Sequence, residues 1–433
     1  VIMCALPAVN MASQYHKHDR SNDLLALEYA ENFLNGLDEN AIIFTNGDND
    51  TFPLWYAQAV YDPHADEYYL EKDTLKFVEI KGYHPSEIPE PPKKTKQLLR
   101  QVQLGKKELK GIRKDVSVAN LSLLNTPWYI KQLRDQEGIE INLTDEKIDW
   151  IASPRGVFRL ANDAAFKVGD IRITLPKDKI LYTKDQMVLQ IIKDNFGKRP
   201  IYFAVTVADR VGLDNYLQRE GMADKLVETS GRRQFDYKRL IHNLENVFDF
   251  TTVLNDDVYK DSHKKRLLNT YAVAFVDASN YFYQQKNYEK AAENYTTGIK
   301  FLSEQDKERF IPGLSTLYAE MGQFDQAFSV IQPLIEQYPG DDQLLSLAVY
   351  YLEEAGKIDS TLTLVENFIR NNPTNQYFIN YYTSLCQQYQ KYDRGIHFFD
   401  IMSIQYPQNN VYPQQKNKLE QSLQEASKEE EEE

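Results

Sequence analysis

Apolar and polar positions in the first half of the chain follow two kinds of pattern. Residues 21–36 repeat apolar side chains at helical spacing and stop at Gly36, so they predict an amphipathic helix. The next apolar run, residues 41–45, is too short for a helix and predicts a buried strand. A second helix is predicted directly after it, in the segment FPLWYAQAVY, where Pro53 suits a first turn.

The same alternation continues to about residue 205. Residues 115–124, 169–176 and 199–205 predict three more strands, and a capped helix is expected from Thr183 to Gly197. Strands that alternate with helices favour a small α/β domain with a partly parallel sheet, which we place at residues 19–235. Residues 62–110 interrupt this order with the Pro- and charge-rich stretch HPSEIPEPPKKTK and predict a surface insertion.

From residue 236 onward the pattern contains only helical periods. Three prolines and two glycines repeat at intervals of 34 residues: Pro339, Pro373 and Pro407, and Gly322 and Gly356. A 34-residue period is that of the tetratricopeptide repeat, in which pairs of helices stack into a solenoid. We therefore predict an all-α tetratricopeptide solenoid over residues 236–420.

The two ends of the chain differ from the parts between them. Residues 1–18 begin with the mostly apolar stretch VIMCALPAVNMA, which is shorter than the roughly 20 residues that span a bilayer. This stretch predicts either the end of a longer membrane-spanning segment with its polar exit, or a buried N-terminal arm. Residues 421–433 end in KEEEEE and predict an acidic, disordered tail.

Composition restricts the classes of function. The chain of 433 residues is 42% hydrophobic and 26% charged, which is ordinary for folded domains. Its net charge of −14 argues against nucleic-acid binding, because contact with phosphates requires a basic surface. The 2 cysteines are far apart in sequence, so neither a disulfide framework nor a cysteine-based zinc site is predicted.

Candidate chemistry concentrates in the loop after the first strand, TNGDNDT. Asp48 and Asp50 form an Asp-x-Asp pair, and hard oxygen ligands of this kind suit Mg²⁺, Mn²⁺ or Ca²⁺. The loop is predicted beyond the carboxyl end of a strand, where open α/β sheets bind their ligands. The alternative is turn chemistry, in which Asn46-Gly47 forms a tight turn and Asp50 or Thr51 caps the next helix. The sequence thus predicts a candidate divalent-cation site at Asp48 and Asp50 and leaves the turn-and-cap alternative open.

Two tryptophans extend this set of candidates. Trp55 and Trp128 each lie near the start of a helix that follows a strand, where an indole ring either stacks on a sugar or belongs to the core. The complete predicted substrate-binding set is Asn46, Asp48, Asn49, Asp50, Thr51, Trp55, Asn125 and Trp128. The sequence contains no serine–histidine–aspartate arrangement, no phosphate-binding loop and no dinucleotide motif.

Four segments together resemble one family of membrane proteins: HDRSND, AIIFTNGDNDTFPLWYAQ, VANLSLLNTPWYIKQL and RPIYFAVTV. They are similar to a bacterial family of multi-pass membrane proteins that is classed as glycosyltransferase family 117 and was long called domain of unknown function 2723. A eukaryotic relative of that family is a protein O-mannosyltransferase of the endoplasmic reticulum. The segment LDNYLQREGMADKLV also resembles the family, so the motifs cover residues 1 to about 275, and the repeats agree by layout.

The resemblance implies a protein of the GT-C class, with many transmembrane helices followed by a soluble extracytoplasmic region that often ends in tetratricopeptide repeats. It implies a lipid-linked sugar as the donor. It also implies a catalytic carboxylate in a loop of the membrane region, outside these 433 residues. The insertion at residues 62–110 departs from the family, in which the corresponding link is usually short.

These inferences lead to one predicted function. The chain is expected to be the membrane-anchored, extracytoplasmic (periplasmic) part of a GT-C-type glycosyltransferase, without catalytic residues of its own. Its α/β domain would help to shape the donor or acceptor site, and its repeats would bind a protein partner or acceptor beside its own membrane domain. The alternatives are a non-catalytic periplasmic scaffold and a soluble metal-dependent sugar transferase that uses Asp48 and Asp50.

Overall fold

The sequence folds into an α/β part followed by a run of helices, as predicted. A computed structural model describes residues 2–19, 23–59, 68–70, 77–79 and 111–432. The chain divides into two compact units, Val1–Ala278 and Ser279–Glu433, which we call the α/β unit and the helical unit. In the described residues every strand belongs to the α/β unit.

The strands are short. In chain order they are β1 (Ile42–Thr45), β2 (Tyr68–Leu70), β3 (Phe77–Glu79), β4 (Ser117–Asn120), β5 (Phe158–Arg159), β6 (Ala164–Val168), β7 (Ile171–Leu175), β8 (Ile180–Leu181), β9 (Ile201–Ala204), β10 (Leu217–Arg219), β11 (Ala223–Leu226) and β12 (Gln234–Phe235).

One mixed sheet of six strands organises the α/β unit, in the order β12-β10-β11-β9-β1-β4. Strand β1 pairs in parallel with β4 on one side and with β9 on the other. Beyond β9 the pairing becomes antiparallel through β11 and β10, and β12 runs parallel to β10. All residues of β1, β4 and β9 are buried, as expected for parallel strands that are covered on both faces. The predicted partly parallel sheet is therefore confirmed.

Strand β4 is shorter than the predicted run of residues 115–124. The side chain of Asn120 accepts a hydrogen bond from the Leu123 amide at 3.0 Å, which turns the chain out of the sheet. A single 3-10 turn, Leu123–Asn125, then leads to the helix that begins at Pro127. The asparagine at the strand end, rather than the apolar pattern, sets this boundary.

The helices of the α/β unit begin at the N-terminus of the chain. They are α1 (Ile2–His18), α2 (Leu25–Asn35), α3 (Asp48–Ala59), α4 (Pro127–Asp135), α5 (Asp145–Ile151), α6 (Thr183–Asn195), α7 (Tyr237–His242) and α8 (Ser262–Gln284), the last of which continues past Ala278.

The helical unit adds a further series. Its helices are α9 (Tyr288–Lys300), α10 (Glu304–Lys307), α11 (Ile311–Glu320), α12 (Phe324–Gln337), α13 (Asp342–Glu354), α14 (Ile358–Asn371), α15 (Gln376–Gln388), α16 (Tyr392–Gln405) and α17 (Val411–Glu432).

The α/β unit extends beyond residue 235, where the sequence placed the domain boundary. Buried Asn32 on α2 donates to the Asp249 carbonyl at 2.6 Å and to the Tyr271 hydroxyl at 2.9 Å. Asn243 donates to the carbonyl of Glu220, next to β10, at 2.7 Å. These long-range hydrogen bonds attach residues 236–278 to the sheet and to α2, so the change from strands to helices does not coincide with the edge of the unit.

The α/β unit contains a buried carboxyl group that should make its stability depend on pH. Asp277 lies on α8 with its side chain 18% exposed, 3.4 Å from the guanidinium of Arg219. Burial raises the pKa of Asp277 to about 6. The cations Arg219 and Arg233 oppose this rise, and the negative charge of Asp224 adds to it. The folded state therefore retains a proton on Asp277 at pH values where the unfolded chain has lost it.

Stability from this proton is fully present below the unfolded pKa, near 4, and is lost as pH rises through 6. We expect Asp277 to lower the free energy of unfolding by up to about 3 kcal/mol between pH 4 and pH 7. In urea melts at pH 4 and pH 7, the free energy of unfolding of Asp277→Asn should lack this part of the decline. For the exposed control Asp170→Asn, the free energy of unfolding should fall between these pH values as it does in the wild type. A variant Asp277→Asn with the wild-type pH profile would contradict this expectation.

The predicted helical repeat is present in the helical unit. Gly322 and Gly356 lie between paired helices, α11 with α12 and α13 with α14, at φ of +71° and +70°. Gln390 takes the corresponding place between α15 and α16 at φ of +52°. The prolines at 34-residue intervals follow α12, α14 and α16. Helix pairs at this spacing are consistent with a solenoid.

Small side chains allow the paired helices to approach. Ala327 and Thr361, which are 34 residues apart in the sequence, are fully buried. Gly395 follows after another 34 residues, and a methyl group there would lie 2.9 Å from the Cys386 sulfur and would collide with Leu419. The third pair therefore packs more closely than an alanine would allow.

Both chain ends are helical in the structure. Helix α17 extends to Glu432, so the expectation of a disordered tail from residue 421 is not met. Gln, Glu, Lys and Ala are strong helix formers, and Leu419 on the same helix is fully buried. At the other end α1 covers Ile2–His18. Among the described residues, the helices are all too short or too polar to cross a membrane.

Most of the predicted insertion lies outside the described residues. Only β2 and β3, which pair in an antiparallel manner, are described between residues 60 and 110. The chain returns beside its point of departure, since the Ile112 amide donates to the carbonyl of Ala57 at 3.1 Å.

Candidate functional site

The carboxyl ends of the parallel strands form one edge of the sheet. Thr45 and Asn120 end β1 and β4 there, and both are buried. The hydroxyls of Thr45 and Thr51 are 2.8 Å apart, and the Asn120 amide donates to the same Thr51 hydroxyl at 2.8 Å. Gly47 allows the tight turn before α3 with a φ of +82°. The predicted loop TNGDNDT thus lies at the end of a central strand, fixed by the hydroxyls of Thr45 and Thr51 and by the side-chain amide of Asn120 from β4.

Asp50 is a structural member of this loop. It is 2% exposed, and its carboxylate accepts hydrogen bonds from the Asn46 amide at 3.3 Å and from the Thr206 hydroxyl. Burial raises the pKa of Asp50, against the effect of these hydrogen bonds. Because Thr206 follows β9, Asp50 joins the loop after β1 to the loop after β9.

Tyr29 from α2 completes the surroundings of Asp50. The ring is fully buried, and burial together with the nearby Asp50 charge holds the pKa of Tyr29 well above its usual range. Its hydroxyl forms no hydrogen bond of ordinary geometry with the described residues. Asp50 is therefore enclosed by protein groups, not presented to a ligand.

The Asp-x-Asp pair does not converge on one point. Helix α3 begins at Asp48, and residues two apart on a helix face in nearly opposite directions. Asp48 and Asn49 are exposed whereas Asp50 is buried. No group of three His, Cys, Asp or Glu side chains that could hold a metal ion occurs in the described part of the chain. The structure therefore gives no geometry for a cation at Asp48 and Asp50. It agrees with the predicted turn at Gly47, but α3 begins at Asp48, so Asp50 and Thr51 lie inside the helix and neither is its N-cap residue.

The remaining loop candidates are also separated. Thr51 donates to the Gly47 carbonyl at 2.7 Å inside the first turn of α3. Asn125 accepts from the Lys184 amide at 3.1 Å and donates to the Ser122 carbonyl at 3.2 Å, so it joins the turn before α4 to the start of α6. Asn125 and Asp50 are thus each bonded to partners of their own, and buried Asp50 is not open to a cleft shared with Asp48 and Asn125.

The two predicted tryptophans line one cleft of about 410 Å³ between α3 and α4. We call it the aromatic cleft and define it by seven of its lining residues: Trp55, Gln58, Lys114, Trp128, Tyr129, Gln132 and Glu137. The rings of Trp55 and Trp128 have their centroids 6.2 and 5.6 Å from that of Tyr129. Trp128 is 58% exposed, an unusual position for the largest side chain.

Hydrogen bonds to the edge of β4 fix the walls of the aromatic cleft. The Tyr129 hydroxyl donates to the Val118 carbonyl and accepts from the Asn120 amide, both at 3.0 Å. Burial raises the pKa of Tyr129 to about 12, so the hydroxyl keeps its proton. The Gln58 amide donates to the Val116 carbonyl at 2.7 Å. Helices α3 and α4 are thereby held on one strand, and the rings they carry are held in place.

The two tryptophans of the aromatic cleft were predicted from the sequence, but its polar and charged residues were not. Gln58 and Gln132 lie one helical turn beyond Trp55 and Trp128, at i+3 and i+4, on the same face of each helix. That spacing is visible in the sequence. Nothing in the sequence, by contrast, brings Lys114 and Glu137 to the same place.

Three stretches of the chain, residues 26–67, 105–153 and 155–244, match a family model described as TMEM260-associated domain 2. The match lies within the α/β unit and omits residues 68–104, inside the predicted insertion. No curated protein sequence matches the chain. The matched part is related to a domain associated with a membrane protein of glycosyltransferase type, in agreement with the resemblance seen in the sequence.

Proposed function

We propose that this chain is the extracytoplasmic region of a longer GT-C-type membrane glycosyltransferase that uses a lipid-linked sugar. The match to TMEM260-associated domain 2 carries this proposal. The domain is named for TMEM260, a protein assigned to eukaryotic O-mannosylation. The catalytic carboxylate would belong to the membrane region, and the α/β unit would contribute a surface for substrate.

Two features of the α/β unit support an accessory role over a catalytic one. The carboxylate of Asp50 is enclosed, and exposed Asp48 faces away from it. A transferase that uses a metal needs convergent oxygen ligands and an open coordination position. The aromatic cleft provides recognition groups instead, so the soluble metal-dependent transferase is the less favoured alternative.

The helical unit supports a second role, in binding a protein partner or acceptor. Residues 279–433 contain 23 Asp and Glu against 12 Lys and Arg, so this unit carries a net charge of −11. Tyr350 and Tyr377 are 49% and 68% exposed on α13 and α15. Exposed aromatic rings on an acidic surface suit a partner segment rich in Lys and Arg.

The extracytoplasmic location can be tested by cysteine labelling in intact cells. In the longer protein, Ser346→Cys places a thiol on the exposed face of α13, and Cys4→Ser removes one native thiol. The other cysteine of this chain, Cys386, is fully buried. A membrane-impermeant maleimide should label Ser346→Cys in intact cells about as fully as in lysed cells.

Two outcomes would count against the proposed function. Labelling that occurs only after lysis would place the region on the cytoplasmic side. A coding sequence that lacks several membrane spans before this region would remove the membrane enzyme and leave a scaffold. The parent protein without Ser346→Cys is the control for background labelling.

A further inference from the structure

We propose that the aromatic cleft binds a neutral hexopyranose as part of a glycan or glycopeptide. The inference deepens the proposed function and rests on it, because a protein that handles saccharides gives this cleft its class of ligand. The evidence is the combination of ring faces, amide groups and charges that α3 and α4 place around one cleft.

The rings supply the first requirement of sugar recognition, a flat apolar surface. A pyranose has an apolar face of C–H groups, and indole rings cover such a face through dispersion and the charge distribution of the ring. Trp128 is 58% exposed and Trp55 is partly buried beside Phe52, with ring centroids 5.8 Å apart. The exposed indole of Trp128 therefore forms a platform at the mouth of the cleft.

The polar groups supply the second requirement. Each sugar hydroxyl both donates and accepts a hydrogen bond, so a site needs donors and acceptors together. The side-chain amide of Gln132 offers both kinds of group. Gln58 offers its carbonyl oxygen as an acceptor, because its side-chain nitrogen already donates to two backbone carbonyls, and the carboxylate of Glu137 also accepts. Gln58 is already oriented by its hydrogen bonds to the Val116 and Arg113 carbonyls.

Charge indicates that the sugar is neutral. Lys114 and Glu137 contribute one positive and one negative group to the lining of the cleft. A phosphate or diphosphate would need an excess of cationic or amide donors, as in arginine forks or helix N-termini. The balanced pair suits hydroxyl groups, so neither the lipid phosphate of a donor nor a nucleotide fits this cleft.

The third tryptophan provides a matched control. Trp150 lies on α5 in the same unit and is 46% exposed, close to the exposure of Trp128. It is outside the aromatic cleft and packs under the Lys147 ammonium, 4.3 Å from the ring centroid. Trp128→Ala and Trp150→Ala thus remove the same side chain from two exposed sites, and neither should disturb the core.

Isothermal titration calorimetry of the purified chain tests the inference. The probes are methyl α-D-mannopyranoside, the matching glucoside and galactoside, a mannosylated peptide and the same peptide without sugar. We expect saturable binding of at least one glycoside with Kd on the order of 1 mM, as small neutral ligands allow. Trp128→Ala should weaken it about tenfold, and Gln132→Ala several-fold, while Trp150→Ala leaves it unchanged.

Three results would overturn the inference: no saturable heat with any glycoside, equal affinity in Trp128→Ala and wild type at equal melting temperatures, or equal affinity for the bare and mannosylated peptides. The last result would indicate a peptide site. The test is separable from that of the proposed function. Sugar binding by a cytoplasmic region would contradict the proposed function alone, and an extracytoplasmic region that binds no sugar would contradict the cleft inference alone.

Discussion

Replacement of Arg199 by alanine should lower the free energy of unfolding of the α/β unit by about 3 to 4 kcal/mol. Arg199 lies just before β9, and its half-buried guanidinium donates to the Asn40 carbonyl at 2.8 Å and to the Ala41 carbonyl at 3.1 Å. It also donates to the Ser117 hydroxyl at 2.9 Å and to the Gly138 carbonyl at 3.2 Å. One side chain thus joins the amino-terminal ends of the three parallel strands.

The size of this effect follows from what remains after the substitution. Burial lowers the pKa of Arg199, but the group stays charged at neutral pH. Its hydrogen bonds are charge-assisted, and each is stronger than a bond between neutral groups. Alanine leaves the carbonyl of Ala41 and the hydroxyl of Ser117, both in buried residues, without this donor, whereas the exposed carbonyls of Asn40 and Gly138 can bond to water instead.

Tryptophan fluorescence in urea measures this change selectively. All 3 tryptophans, Trp55, Trp128 and Trp150, lie in the α/β unit, so the signal reports that unit. Arg199→Lys should recover little of the loss, because an ammonium group cannot reproduce the planar fork. Exposed Arg155→Ala should change the free energy of unfolding by less than about 0.5 kcal/mol. If Arg199→Ala lowered the free energy of unfolding as little as Arg155→Ala does, the proposed role of the Arg199 guanidinium would be contradicted.

The pattern of apolar residues and the 34-residue interval were sufficient to predict an α/β domain followed by paired helices. Continuous apolar runs predicted the buried parallel strands, and the 34-residue interval predicted where helices pair. The 34-residue interval also predicts the turn between α15 and α16, although Gln390 stands there at a positive φ in place of the glycine found in the two earlier turns. Periodicity is a property of a whole element and tolerates single exceptions.

The candidate site was less predictable because it depends on side-chain direction. The Asp-x-Asp motif indicated a cation only if its two carboxylates faced one point, and the structure, in which α3 begins at Asp48, does not bring them together. The partners of Asp50 come from elements far away in sequence, such as Thr206, which is 156 residues distant. Only the three-dimensional pairing of β1 with β9 brings those groups together.

Two further predictions, the disordered tail and the domain boundary at residue 235, differ from the structure. The acidic tail was expected to be disordered from charge alone, yet helix propensity and the buried Leu419 continue α17 to Glu432. The boundary at residue 235 was placed where strands end. The polar anchors Asn32 and Asn243 attach the following residues to the α/β unit, and buried asparagines carry no apolar period by which they could be detected.

The largest difference in activity is expected in sugar transfer, between the isolated chain and the longer protein. The isolated chain should transfer no sugar, because its acidic pair does not converge and the proposed catalytic carboxylate and lipid site belong to the membrane region. The longer protein should be active. In that protein Trp128→Ala should raise KM for a mannosylated acceptor peptide about tenfold and leave kcat within about twofold, since the aromatic cleft binds the sugar of the acceptor away from the reacting bond.

The most direct measurement is therefore transfer of mannose from a lipid-linked donor to a mannosylated acceptor peptide, assayed with the purified chain, the longer protein and its Trp128→Ala and Trp150→Ala variants. We predict no turnover by the chain, full turnover by the longer protein and by Trp150→Ala, and a raised KM in Trp128→Ala. Turnover by the isolated chain that disappears when Asp48 and Asp50 are both replaced would contradict the accessory role and establish a soluble transferase instead.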